Sequence, residues 1–349
     1  MESRVAELRA GREIQIPVNE ILRSVRNADG DGTLFSGTIA QPTGAGANVN
    51  DNIGACSLLD LVRVEDMTGL SGWEEPYASA DPTPAKGGPA STAGTSRTAS
   101  DPTFGISVIK PYEVSTTSFV DRNIALLSPT NYYAKVQQMA MRALKNEICK
   151  LILLGDSELT HVMYGMINGT NKAGSSIVDS VSAAVSSSKG KVDTDLLDDL
   201  YFTYGDGLTV GGNGMVFLNK KDLKALGKLR GTNEKGRLYA INPMPGDACR
   251  GTISDGGMII PYLVNGALTE IEGKAQPEST GADLPTCIYG DPMNYLLGLF
   301  GNYTIRVDES YKAQQRLFTI LGDAMVGGNV VVNKGFVVAK IPKAAAVGG

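Results

Sequence analysis

The chain has 349 residues, 42% of them apolar and 20% charged, the balance of a protein that builds a buried core and has length for about two domains. A net charge of −5 argues against general affinity for nucleic acid from solution, which relies on cations that displace counterions, though not against a protein that surrounds nucleic acid. Apolar runs fall far short of the roughly 20 residues that cross a bilayer, and Met1 is followed by charges rather than an apolar signal segment, so an intracellular origin is expected.

Residues 1–27 contain PVNEILRSV, where Pro17 can open a short helix striped by Val18, Ile21, Leu22 and Val25. Asn27 to Asn52 is rich in Gly, Asn and Asp with few apolar anchors and reads as an extended arm. Ser57–Met67 and Gly72–Tyr77 are strand-like. Ala78 to Thr103 then carries no apolar side chain larger than Ala except Pro, too little to offset the entropy of ordering. Beyond it, Phe104, Ile106, Val108, Tyr112 and Val114 alternate with Gly105, Ser107, Glu113 and Ser115, which predicts a half-buried strand with the apolar set inward. Pro111 favours an edge position. Together these predict a long two-stranded arm with a soft tip, and an isolated hairpin is marginal in water, so a neighbouring subunit is expected to support it.

The stretch from Ser128 to Gly155 predicts one long helix, with Ser128 as N-cap, Pro129 in the first position and Gly155 as terminator. Tyr133, Val136, Ala140, Ala143, Leu144, Ile148, Leu151 and Ile152 form its apolar stripe, while Lys135, Arg142, Lys145 and Lys150 point elsewhere. Leu196, Leu197, Leu200 and Tyr201 mark a second helix capped by Asp193 or Thr194. MVFL at Met215 to Leu218 predicts a buried strand, followed by a helix capped at Asn219 and ending near Gly231. The last 60-odd residues are strand-rich, with Gly327 and Gly328 placed to turn a hairpin.

Catalytic signatures are missing. His161 is the sole histidine and has no Ser or Cys motif beside it. GLTVGGNG at Gly207 to Gly214 is superficially similar to a phosphate loop but lacks both GK[ST] and GxGxxG. Glu74 with Glu75, and Asp198 with Asp199, are adjacent pairs that point apart and read as solvated faces. Cys56, Cys149, Cys249 and Cys287 are too widely spaced for a zinc pair or a disulfide framework, and buried free thiols are expected. No metal cluster, catalytic residue or cofactor site is predicted.

The order of parts resembles the major capsid proteins of tailed bacteriophages, the Hong Kong 97-type fold family. The residues that carry it are the Ser128–Gly155 helix with LLGDS after it, YGMIN at Tyr164 to Asn168, MVFLNKKDLKAL at Met215 to Leu226, IYGDPMNYLLGLFGNYTIRVDES at Ile288 to Ser310, and the closing FTILGDAMVGGNVVVNKGFVVAKI. The resemblance implies an α+β fold in five parts: an N-terminal arm and lead-in strand (1–65), an extended hairpin called the E-loop (66–120), and a peripheral domain (121–188) with a spine helix (129–154). An axial domain (189–283) and a strand-rich return to the peripheral domain (284–349) follow. It implies a structural protein of the virion, assembled in the host cytoplasm as hexamers and pentamers of an icosahedral head around double-stranded DNA. Portal, scaffolding and decoration proteins are implied partners, with no enzyme activity, cofactor or membrane.

By the same resemblance Trp73, Lys86, Arg97, Phe104 and Lys110 are candidates for contact with neighbouring subunits, and the cations of the long helix for contact with packaged DNA. Some relatives join an E-loop lysine to an asparagine next door, for which Lys86 with Asn329 or Asn333 are candidates. An encapsulin-like nanocompartment shell and, more remotely, a cytosolic nucleotide-binding enzyme are the alternatives.

Overall fold

The computed structural model describes residues 14–16, 58–81, 101–121, 129–156, 162–207, 214–231, 236–245, 247–255, 257–308 and 317–345. The expected N-terminal helix, the arm from Asn27 to Asn52, most of the soft tip, His161 and most of the Gly207–Gly214 loop lie outside them.

Helix α1 spans Pro129–Leu154, 26 residues or about 39 Å of rod. It ends where predicted: Gly155 takes φ +73°, a left-handed conformation suited to a residue without Cβ, and its amide donates to the Leu151 carbonyl at 2.7 Å. Ala140, Leu144, Ile148, Leu151 and Ile152 are buried as the stripe predicts, but Ala143 is exposed. Cys149 and Leu153 are buried as well, so the last two turns sink into the core over more than one stripe. Directly after the helix, the chain folds back so tightly that a Cβ on Gly165 would collide with the backbone of Leu153, Leu154 and Gly155. Met166 and Ile167 donate to the Ile152 and Leu153 carbonyls, which α1 leaves without intrahelical partners.

One face of α1 rests on a six-stranded sheet made of β1 (Ile14–Ile16), β2 (Arg63–Asp66), β5 (Tyr112–Asp121), β14 (Tyr295–Leu299), β15 (Tyr303–Asp308) and β16 (Leu317–Val330). The axis is β16, 14 residues and roughly 46 Å long. β5 pairs along one flank; β14 and β15 lie end to end along the other. Gly327 and Gly328 therefore sit inside a strand rather than at a turn. A Cβ on Gly327 would strike the Lys110 carbonyl, and one on Gly328 the Tyr295 ring, so close approach rather than chain reversal explains both glycines. The chain turns later, at Val332 to Gly335, where Lys334 has φ +54°.

A seven-stranded sheet runs in the order β10 (Ala240–Met244), β11 (Asp247–Ser254), β12 (Ile259–Val264), β9 (Met215–Leu218), β13 (Leu284–Gly290), β17 (Phe336–Ile341), β6 (Asp179–Ser182). β7 (Val185–Ser186) and β8 (Lys189–Gly190) form a separate small hairpin. Both faces of the large sheet are covered, which explains why its strands read as nearly continuous apolar runs. Phe217, Leu263, Ile288, Phe336 and Val338 pack toward the core of α1. Val216, Leu218, Ile260, Tyr262, Tyr289, Val337 and Ala339 pack on the other side with Leu196, Leu197 and Leu200 of α2 (Leu196–Thr203) and Leu226 of α3 (Lys220–Leu226).

Residues 189–283 thus do not close a sheet alone. The strand-rich tail divides: β14, β15 and β16 return beneath α1, whereas β13 and β17 complete the second sheet. Asn219 caps α3 as predicted, accepting from the Lys221 amide at 3.0 Å, but the helix stops at Leu226 with Gly227 as C-cap, short of Gly231. Asp193 accepts from the Leu196 amide at 3.1 Å although Asp195 holds the cap position of α2. Cys149 and Cys287 are buried thiols, but Cys249 is exposed on β11; Cys56 lies outside the described residues.

Candidate intersubunit surface

Two strands stand apart from both sheets. β3 (Trp73–Ala80) pairs antiparallel with β4 (Thr103–Ile109), with Trp73 opposite Ile109, Glu75 opposite Ser107, and Tyr77 opposite Gly105. The pairing is confined to this ribbon, because the segment after Pro111 joins β16 instead.

Directly opposed residues share a face, and the pleat gives this ribbon two unlike faces. The inner face carries Glu75, Tyr77, Ser107 and Ile109. Ile109 and Ser107 are fully buried, and the Ser107 hydroxyl donates to the Val330 carbonyl at 2.6 Å. Tyr77 lies across Gly105, where any Cβ would overlap its ring; burial pushes its phenol above the usual range. Asn329, fully buried in β16, donates to the carbonyls of Val108 at 3.1 Å and Thr170 at 2.9 Å, while its oxygen accepts from the Val330 amide. The Lys172 amide donates to the Ile106 carbonyl at 2.7 Å and its ammonium pairs with Glu74 at 2.6 Å. At the strand start Glu75 accepts from the Trp73 indole at 2.8 Å and from Arg63 at 3.2 Å.

These contacts correct two expectations. The base of the hairpin is supported by its own chain rather than waiting for a neighbour, out to Ser79, whose carbonyl accepts from Asn333 at 3.4 Å. The phase of β4 is also the reverse of the one predicted. Ser107 points in because a backbone carbonyl is waiting for its hydroxyl, and Phe104 and Ile106 point out.

The outer face carries Pro76, Ala78, Phe104 and Ile106, all exposed, with Val108 half-buried beside them. Phe104 is 71% exposed and Ile106 36%, an apolar stripe that is most open at Phe104.

Of the predicted contact residues, Trp73 is 39% exposed with its indole nitrogen already bonded, Phe104 lies at the tip end of the stripe and Lys110 is exposed at the other end. Lys86 and Arg97 lie outside the described residues. Ile106 belongs with Phe104, and its signal, the period-two alternation, was present in the sequence with the opposite sense. Asn333 is partly exposed, whereas all the hydrogen-bonding capacity described for Asn329 is spent within its own chain. On α1, Arg142 and Lys145 are half-buried and engaged, Lys150 pairs with Glu147 at 3.0 Å, and burial pulls the Lys145 ammonium below its usual pKa. They do not form a free basic row. Among the described residues no group of His, Cys, Asp and Glu could hold a metal ion, and no helix is long and apolar enough to cross a membrane.

Solved structures share this arrangement. The capsid of an empty GTA particle computed with C5 symmetry superposes with a TM-score of 0.60 at 15% identity, over 86% of this chain and 94% of that one. A chain from Mycobacterium phage Ogopogo gives 0.60 at 15%, over 86% and 96%, and one from Gordonia phage Cozz gives 0.57 at 15%, over 88% and 92%. At such identities the likeness speaks for the fold, and it is an α+β fold of the kind that builds capsids. Among curated proteins none matches this sequence. The chain belongs to the phage capsid family, whose model matches residues 55–341. It is a structural protein of a capsid.

Proposed function

We propose that this chain is the major capsid protein of a tailed phage, closing into hexamers and pentamers of an icosahedral head that encloses double-stranded DNA. In this reading the ribbon is the base of an E-loop laid over a neighbouring copy, α1 is the spine helix of a peripheral domain, and the second sheet with α2 and α3 forms the axial domain. The observation that carries it is the outer face of β3 and β4: a folded, self-supported ribbon that leaves Phe104 and part of Ile106 to water in the single chain. Burying such a stripe on a second copy removes apolar area from water at about 25 cal/mol per Å², and closed symmetry repeats the gain at every copy. Trp73, Phe104 and Lys110, with Lys86 and Arg97 from the tip, are the proposed contact residues. A covalent bond between Lys86 and an asparagine of the next copy fits Asn333 better than Asn329. Portal, scaffolding and decoration proteins are proposed partners in the same head.

Electron microscopy of the purified full chain tests the reading. Closed icosahedral particles containing DNA support it; closed particles filled with protein cargo favour the encapsulin-like alternative, and a protein that stays monomeric at high concentration contradicts both.

A further inference from the structure

The helices α2 and α3 cover the same face of the seven-stranded sheet, yet their outer sides carry opposite charge. On α2, Leu196, Leu197 and Leu200 face the sheet, which leaves Asp195, Asp198, Asp199 and Phe202 outward at spacings of three and four residues. Phe202 is 71% exposed and stacks edge-on against Tyr201, their centroids 5.3 Å apart. None of these three aspartates has an ion-pair partner among the described residues. The crowding is felt at Asp198, whose carboxyl is pushed up by burial and then by the charges of Asp255, Asp195 and Asp199.

On α3, Asp222 and Leu226 face inward, and Lys220, Lys224 and, one turn on, Lys228 are exposed at i, i+4 spacing. Lys221 is tied to Glu270 at 2.9 Å, but Lys220, Lys224 and Lys228 have no ion-pair partner among the described residues. The two helices lie side by side on this face: α2 packs on β6, β13 and β17 and its start reaches Tyr239, whose hydroxyl donates to the Thr194 carbonyl at 2.6 Å, while the end of α3 abuts Ile241 of β10.

Resting on the proposed self-assembly, we infer that the acidic, aromatic face of α2 docks on the basic face of α3 of the next copy around each ring. Two different, complementary patches on one body are what a head-to-tail contact requires, and such a contact makes a ring when its rotation closes. The lysine stems cover the Phe202 ring while their ammonium groups reach the carboxylates, so one contact uses both properties of the face. Opposite charge also sets the register of approach and disfavours α2 against α2 or α3 against α3.

Charge reversal tests this in the full chain, with native mass spectrometry reading ring size and circular dichroism confirming the fold. Asp198→Lys with Asp199→Lys in one variant, and Lys224→Glu with Lys228→Glu in another, are each expected to lose rings at concentrations where the unaltered chain forms them. Co-expressed, the two variants are expected to alternate around a ring, which restores hexamers but not pentamers, because an odd ring cannot alternate. All four substitutions in one chain are expected to restore both. Rings formed by either variant alone as readily as by the unaltered chain would overturn the inference while leaving the capsid reading intact, as would a loss that neither mixing nor the fourfold variant repairs. An unaltered chain that never assembles would overturn the capsid reading and this contact with it.

Discussion

The seven-stranded sheet and the β3–β4 ribbon solve the same problem to different degrees. Strands of the sheet bury side chains on both faces, with Phe217 and Ile288 on one side and Val216 and Tyr289 on the other, so a single chain completes it. The ribbon buries only its inner face and leaves Phe104 and Ile106 outside. Interior residues should therefore govern stability and leave assembly chemistry alone, while the outer face of the ribbon should do the reverse.

The largest expected loss is Gly165→Ala. The added Cβ meets backbone at the end of α1, which cannot rotate away, and a cost of about 3 kcal/mol or more is expected. The check is the yield of soluble protein and its urea midpoint. Asn329→Ala comes next. It takes the Asn329 donor from the part-buried carbonyls of Val108 and Thr170 and loosens the ribbon from β16, for roughly 1 to 2 kcal/mol in chemical denaturation.

Smaller still is Asp222→Asn. Burial first of all raises the Asp222 carboxyl above its ordinary value, despite amides of Ile271 and Glu272 that hold it at 2.9 to 3.0 Å. A raised folded-state pKa means that the native state holds the proton more tightly, so this group's contribution is most favourable below about pH 4 and declines as pH rises through the raised pKa. Asn can still accept both amide bonds. The variant should lose that part of the pH dependence and be no less stable than the unaltered chain at pH 7, which melting curves across pH would show. Lys172→Ala removes an exposed pair with Glu74 and should cost under about 1 kcal/mol.

These ranks also show what was legible in the sequence. Helix α1 and the MVFL strand with its Asn219 cap could be read because their signals are local: a periodic stripe, a capping side chain, a glycine with positive φ. The sense of β4 could not, since it depends on the Val330 carbonyl more than 200 residues away, which turns Ser107 inward. Gly327 and Gly328 misled for the same reason, because a hairpin glycine and a glycine crowded by Tyr295 or Lys110 look alike until the partner is known. The sharing of the tail between two sheets is likewise a matter of non-local pairing. Of the candidate site, Phe104 and Trp73 are implied by the resemblance, whereas Ile106 is hidden because the alternation by itself points it inward.

The most direct test of the central claim substitutes Phe104→Asp and Ile106→Asp together on the outer face. The account predicts a thermal midpoint for the isolated chain that falls by the equivalent of about 2 kcal/mol at most, since Phe104 is 71% exposed and only the covered part of Ile106, 36% exposed, is lost, together with loss of capsomers in sedimentation velocity. Capsomers formed by this variant at the unaltered chain's concentration, or a chain that unfolds on losing these two side chains, would contradict it.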